Sequence, residues 1–230
     1  MNTHNVPVVT VVVAAGSGSR LGARLPKALV ELDSVALVRR AVDALLDGGV
    51  SEVVVTVPVG HEEAFREALA GTGSRLVHGG ATRQESVRLG LAALAAPDDA
   101  VVLVHDAARA LVPPEVVQRV TSAIVDGADV AVPVLPVVDS IRSVVGGGSE
   151  VVDRAMLRAV QTPQGARLGL LREAHEWLRR DGVEVTDDAA ACEYRGHRVA
   201  LVPGHRDAMK ITEPVDLVFA SALLAERKNR

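Results

Sequence analysis

Residues Val8 to Lys27 read VVTVVVAAGSGSRLGARLPK. The apolar, β-branched run Val8–Val13 stops at Ala14-Ala15-Gly16-Ser17-Gly18-Ser19-Arg20, and a Pro26-Lys27 pair follows. Such a run, bounded by glycine, reads as a buried strand emptying into a loop. Glycines let backbone N–H groups close on a ligand, and such groups in series form an anion-binding concavity. Arg20 and Lys27 add fixed charges suited to phosphate. The stretch has the parts of a nucleoside triphosphate grip.

Two other phosphate motifs do not fit. A P-loop needs G-x-x-x-x-G-K-[ST], and Gly16 and Gly22 lack that interval. A dinucleotide fingerprint needs a third glycine where Leu21 stands. Only a looser G-x-G-x-x-x-G pattern survives, and Pro26 keeps Leu25 out of the helical region, so the loop runs on to Lys27. An ordinary strand-to-helix turn would need neither the two cations nor the Pro-Lys ending.

Outward from this loop, Val-rich runs alternate with helical segments. Strands are expected at Val8–Val13, Glu52–Val57, Arg75–His78, Ala100–Val104, Asp129–Pro133 and Arg198–Val202. Helices are expected at Ala36–Leu46, Glu62–Ala70, Arg83–Ala95, Pro114–Val125, Leu168–Arg180, Asp187–Tyr194 and Glu213–Arg227. The alternation predicts an α/β fold, Rossmann-like, with a mostly parallel sheet and helices on both faces. With no repeat and no low-complexity linker, residues 1–230 read as a single domain. One region breaks the pattern. From Val137 to Gln161, two extended runs flank Gly146-Gly147-Gly148 and predict a projecting β-hairpin arm. An isolated hairpin is marginal in water, so a second copy of the chain is its expected partner.

Composition narrows the classes. The core is aliphatic, with only two Phe, one Tyr and one Trp in the chain. Few aromatics and a net charge of -4 exclude stacking platforms and a general polyanion-binding surface, so no nucleic-acid partner is expected. A single cysteine, Cys192, excludes disulfide frameworks and cysteine-rich zinc sites; it reads as a small buried apolar residue. The apolar start is too short to span a bilayer and has no basic leader ahead of it, so neither a membrane nor export is expected and the cytoplasm is the default.

Further polar residues cluster near the predicted carboxyl edge of the sheet. Asp106 follows the run VVLVH and can be either a helix cap or a Mg²⁺ ligand that shares the ion with phosphate oxygens. His105 reads as a packing residue. Gly79-Gly80 permits close backbone approach to a flat base, and Ser86 falls one turn beyond Thr82. Thr82 and Glu85 also make a capping box. Arg142 and Arg154 could receive a substrate phosphate. Thr186-Asp187-Asp188 reads as a capped helix start. Lys210 stands between apolar residues, ahead of Thr212-Glu213-Pro214.

Taken together, AAGSGSRLGARLPK, GGATRQES, VHDAAR, VVDS, VDR, QTPQG, TDDAAACEY and MKITEPVDL resemble the methylerythritol phosphate cytidylyltransferases nearly end to end. The resemblance implies a nucleotidyltransferase fold. It also implies transfer of a cytidylyl group from CTP to 2-C-methyl-D-erythritol 4-phosphate, with Mg²⁺ as cofactor. Ala14, Ala15, Gly16, Gly80 and Ser86 then match positions for cytosine and ribose, and Gly18, Arg20 and Lys27 those for the triphosphate. Asp106 matches the metal ligand, and Lys210 a cation that assists the reaction. Arg109, Ser140, Arg154, Thr162 and Thr186 match the sugar-phosphate site, completed across a homodimer by the arm. Ala110 stands where the family often has proline, and Ser140 where it often has threonine. Other readings are a cytidylyltransferase for another polyol phosphate such as ribitol 5-phosphate, an NAD(P)-dependent oxidoreductase, or a nucleotide sensor. The only tyrosine, Tyr194, lacks the Tyr-x-x-x-Lys spacing of one hydride site, and a sensor would be expected to lack Lys27, Asp106 or Lys210.

Overall fold

A computed structural model describes residues 6–16 and 25–228. The strands are β1 (Val8–Val13), β2 (Glu31–Leu32), β3 (Val35–Ala36), β4 (Glu52–Val57), β5 (Arg75–His78), β6 (Val101–Asp106), β7 (Val130–Pro136), β8 (Ile141–Val145), β9 (Gly148–Val152), β10 (Arg158–Val160), β11 (Gln164–Arg167) and β12 (Val199–Pro203). The helices are α1 (Leu37–Asp47), α2 (Glu62–Ala68), α3 (Arg83–Ala93), α4 (Pro114–Val125), α5 (Leu168–Asp181), α6 (Asp188–Glu193) and α7 (Pro214–Lys228).

The main sheet runs β5-β4-β1-β6-β11-β7-β12. All neighbouring pairs are parallel except those made by β11, which is antiparallel to both β6 and β7. β10 continues β11 along the same edge of β7, after a break at 161–163 that contains a cis Thr162-Pro163 bond. Valine alternation explains the two-sided core. Val101 and Leu103 face one layer with Val38, Val42 and Leu45 of α1 and Val117, Val120 and Ile124 of α4. Val102 and Val104 face the other, with Val87 and Leu91 of α3 and Leu171 and Leu178 of α5. Gly90 is required at the α3 contact, because a Cβ there would stand 2.4 Å from Val11 Cγ1. The fold expected from sequence is therefore present, α/β with helices on both faces, and most elements fall within a residue or two of their expected bounds.

Two features differ from expectation. β10 and β11, like the small β2–β3 pair, were not expected, and β10 and β11 are the antiparallel strands of the main sheet. The projecting arm is also shorter than 137–161. Only β8 and β9 stand off the sheet, and the chain rejoins β7 at Arg158. The hairpin turns through Gly146 and Gly147 alone, at φ +60° and +82°, a tight turn whose positive φ values suit the twist of the flanking strands. Gly148 belongs to β9 and pairs with Val145. Val144, Val145 and Val151 are 70–79% exposed on this hairpin, and Met156 beyond it is 82% exposed.

Cys192 is fully buried on α6, and burial, with nearby acids adding to it, pushes its thiol up to about 12. Thiolate is the reactive form, so a disulfide reagent at pH 8 should leave Cys192 untouched until denaturant is added. Rapid labelling of the native chain, read by absorbance of the released thiol, would contradict this packing of α6.

Candidate active site

The chain leaves β1 toward β4 and β5, then crosses back to β6 on the other side of β1. That reversal opens a crevice beyond the carboxyl ends of β1 and β6, the usual ligand position in open α/β sheets. The backbone ladder continues past the strand ends. Ala14 N–H donates to Thr56 O at 3.0 Å, Gly79 N–H to Val57 O at 2.9 Å, and Ala107 N–H to Val13 O at 3.2 Å. Three loops therefore leave the sheet side by side. They enclose a cavity of about 460 Å³ lined by Ala14, Ala15, Gly16, Lys27, Gly80, Thr82, Arg83, Ser86, Asp106 and Lys210, among others. Eight of the residues singled out in the sequence meet here: Ala14, Ala15, Gly16, Lys27, Gly80, Ser86, Asp106 and Lys210. Gly18 and Arg20 lie outside the described residues.

One wall is backbone and small atoms. A Cβ on Gly79 would lie 2.4 Å from Ala15 Cβ, so glycine lets the two loops touch. Of the capping box expected here the Thr82 half forms, with Glu85 N–H donating to Thr82 Oγ1 at 3.1 Å, while the Glu85 carboxylate accepts from Ala81 N–H at 2.8 Å, one residue before the cap. Ser86 is buried; its hydroxyl accepts from Gly80 N–H at 3.0 Å and donates to Thr82 O at 2.9 Å. These bonds rigidify the turn and leave Gly80 on the cavity wall.

The opposite wall is charged. Asp106 ends β6, opposite Val13 in register. Lys210 Nζ lies 2.8 Å from its Oδ2, and Arg83 Nε donates to its Oδ1 at 3.1 Å. Burial works to raise the Asp106 carboxyl, but Arg83 and then Lys210 outweigh it and hold the group well below the usual carboxylate range. Ile211 N–H donates to Ala108 O at 2.9 Å, which docks the Lys210 segment onto the loop after β6. Lys27 opens the single-turn 3₁₀ segment Lys27–Leu29, anchored by buried Ala28 and Leu29. No group of three or more His, Cys, Asp or Glu among the described residues could hold a metal unaided. One carboxylate facing a cavity sized for phosphates instead suits a hard ion that takes most of its oxygens from substrate and water, as Mg²⁺ does.

Behind Asp106 lies a buried polar support. Asp106 N–H donates to Thr162 Oγ1 at 3.0 Å, and the same hydroxyl pairs with His105 Nδ1 at 3.0 Å. Burial pushes the His105 imidazole down to about 4, so it is neutral near pH 7. His105 is thus a support for the strand end, as the sequence suggested, and Thr162 is engaged in holding Asp106. Arg109 donates to Ala208 O at 2.8 Å and to Val160 O at 3.1 Å, tying the root of the arm to the segment before Lys210. Ser140 and Arg154 lie exposed at the base of the arm, where Arg154 donates to Val138 O, and Thr186 is exposed ahead of α6. None of these five sugar-phosphate candidates lines the cavity.

The sequence reading missed Arg83. It is the first residue of α3, where the helix dipole disfavours a cation, and that misfit was the available signal.

The sequence pattern of the 2-C-methyl-D-erythritol 4-phosphate cytidylyltransferases matches residues 8–226. The chain belongs to this family. A 2-C-methyl-D-erythritol 4-phosphate cytidylyltransferase of Saccharopolyspora erythraea is 48% identical over 225 residues, covering 95% of this chain and 99% of that protein. One of Rhodococcus jostii is 48% identical over 223 residues, with 96% of each covered. The crystal structure of the Thermus thermophilus cytidylyltransferase superposes with a TM-score of 0.80 at 40% identity, over 94% of this chain and 98% of that one. With membership shown, the loose glycine pattern at Gly16 no longer supports an oxidoreductase.

Proposed function

We propose that this cavity is where the chain carries out the reaction of its family: transfer of the cytidylyl group of CTP to 2-C-methyl-D-erythritol 4-phosphate, with release of pyrophosphate, in isoprenoid synthesis. The observation that carries this reading is the meeting of Lys27, Asp106 and Lys210 around one cavity walled by the glycine turns. Ala14, Ala15, Gly16, Gly80 and Ser86 hold cytosine and ribose. Gly18, Arg20 and Lys27 grip the triphosphate. Arg109, Ser140, Arg154 and Thr186 receive the sugar phosphate, with Thr162 fixing the strand end beside them.

The substrate phosphate has a second pKa of roughly 6, so it is largely dianionic near neutral pH and needs no general base. Its oxygen attacks the α-phosphorus in line and pyrophosphate leaves. The protein must bring two repelling anions together and neutralise charge that gathers between them. Lys27 and Lys210 supply fixed cations for this work. Mg²⁺ held by Asp106 would add a further positive charge at the phosphates.

The reading extends to the assembly. Residues 1–230 act as one nucleotidyltransferase unit, and β8–β9 seats its exposed valines against a second copy in a homodimer. No described helix is long and apolar enough to cross a membrane. The place of action in this reading is the cytoplasm.

Pyrophosphate release from each of the four NTPs, against a panel of polyol phosphates, tests the substrates. CTP with methylerythritol phosphate should exceed UTP by at least about a hundredfold in kcat/KM, because backbone acceptors matched to the cytosine amine are left unpaired by uracil. Equal use of ATP and CTP, or preference for ribitol 5-phosphate, would sink the assignment.

A further inference from the structure

The Asp106 carboxylate has a cationic donor on each oxygen, and the two donors are held very differently. On Oδ1, Arg83 is locked from behind: a terminal guanidinium nitrogen donates to Asp188 Oδ2 at 2.8 Å while its Nε donates to Asp106. Asp188 is itself fixed. It is 2% exposed, its Oδ1 faces His175 Nε2 at 3.2 Å, and its backbone N–H donates to Gln164 Oε1 at 3.0 Å. Gln164 belongs to β11 and His175 to α5, so the anchor reaches both the sheet and the helical layer. On Oδ2, Lys210 extends from a loop and its side chain is 44% exposed.

A divalent cation approaching Asp106 meets a cation already seated against each oxygen, so it is repelled unless one of these donors moves aside. Moving Arg83 aside would disturb the same guanidinium's bond to the buried carboxylate of Asp188, which is costly. Releasing Lys210 returns a flexible, half-exposed ammonium to solvent or passes it to a phosphate. The two sides of the carboxylate therefore open at different cost.

We infer that Arg83, positioned by Asp188, and Lys210 together keep Asp106 closed to divalent cations until a triphosphate arrives to draw Lys210 away. Oδ1 then stays with Arg83, and Oδ2 is the oxygen offered to the metal. Arg83 is a positioning residue in this scheme, acting through the orientation of Asp106. The inference rests on the reading of Asp106 as metal ligand, and it predicts that metal and CTP enter together.

The test is Mn²⁺ binding to the nucleotide-free protein, followed by the electron paramagnetic resonance signal of free Mn²⁺. The wild type should bind weakly without CTP and tightly with it. Lys210→Gln and the paired variant Arg83→Gln/Asp188→Asn should each bind Mn²⁺ without CTP at least about tenfold more tightly than wild type, since one competing cation is gone. Adding Asp106→Asn to either should abolish the gain. A purely structural role for Arg83 would lower stability and turnover while leaving this affinity unchanged. If the polar pair variant does not fold, Arg83→Met/Asp188→Leu, which fills the space with apolar groups, makes the same comparison. Tight Mn²⁺ binding by the nucleotide-free wild type, or no gain in the folded Arg83 variant, overturns the inference while cytidylyl transfer by the wild type leaves the assigned activity intact. Wild-type protein inactive with CTP and methylerythritol phosphate would remove the activity, and Mn²⁺ binding that survives Asp106→Asn would remove Asp106 as the ligand.

Discussion

Asp106→Ala should lower kcat for cytidylyl transfer by at least about a hundredfold, because one group acting on transition-state charge contributes about 2.7–4 kcal/mol. Asp106 is the last residue of β6, held ionised between Arg83 and Lys210, with a side chain only 11% exposed on the cavity wall. The fold should survive its loss. Arg83 keeps Asp188 as a partner, and Lys210 is exposed enough to regain water. Asp106→Asn, which keeps the shape and one oxygen, should be nearly as inactive. Steady-state pyrophosphate release, with circular dichroism and a thermal melt on each variant, separates chemistry from folding. Near-normal turnover in folded Asp106→Ala would take the residue out of the mechanism.

Mixing two inactive proteins should restore activity. Lys27→Ala loses a cavity-lining cation, and Arg154→Ala loses one at the base of the arm. If Arg154 serves the neighbouring copy's site, each heterodimer carries one site with both lesions and one intact site. Random re-association makes half the dimers mixed, so about a quarter of wild-type activity should return in a C₂ dimer. If Arg154 serves its own chain, every site keeps a lesion and nothing returns. Proof that heterodimers formed, for example by mass spectrometry of differently tagged chains, makes silence decisive against sharing. A monomer by light scattering would end the dimer reading altogether.

The sequence was most legible where one residue type had one job. Val8–Val13, Glu52–Val57 and Arg75–His78 are short apolar runs between turn residues, and their strands match residue for residue. Pro114 at the start of α4 marked that helix to the residue, since its fixed φ and missing N–H suit a first turn. β11 was invisible for the opposite reason. Gln-Gly-Ala-Arg has no β-branched residue; it is a strand because it pairs with β6 on one side and β7 on the other, and its glycine lets α4 pack close over it, since a Cβ on Gly165 would lie 2.6 Å from Val120. The cavity side chains were read through charge and glycine placement, and eight of them converge. Arg83 escaped because its flanking cap residues already gave Thr82-Arg83-Gln84-Glu85 a sufficient explanation. Its two carboxylate partners come from β6 and from α6, 105 residues away, and only the folded chain brings them together. Thr186-Asp187-Asp188 was read as a capped helix start and is one, with Asp187 capping and Asp188 in the first turn; what the sequence did not show is that Asp188 also turns inward to Arg83.

The order of strands in the sheet also governs when the site exists. β1 joins β6 across some ninety intervening residues, with Val9 opposite Val102, and Lys210 must then find Asp106 from another hundred residues on. Such distant pairings require large loops to close before any contact rewards them, which slows folding relative to helical bundles of similar size. The cavity cannot be assembled piecemeal: its glycine turns, its carboxylate and its second lysine arrive with separate stretches of chain. Gain of CTP binding during refolding should therefore lag the recovery of helical signal, making the nucleotide a reporter of the last long-range closure rather than of collapse.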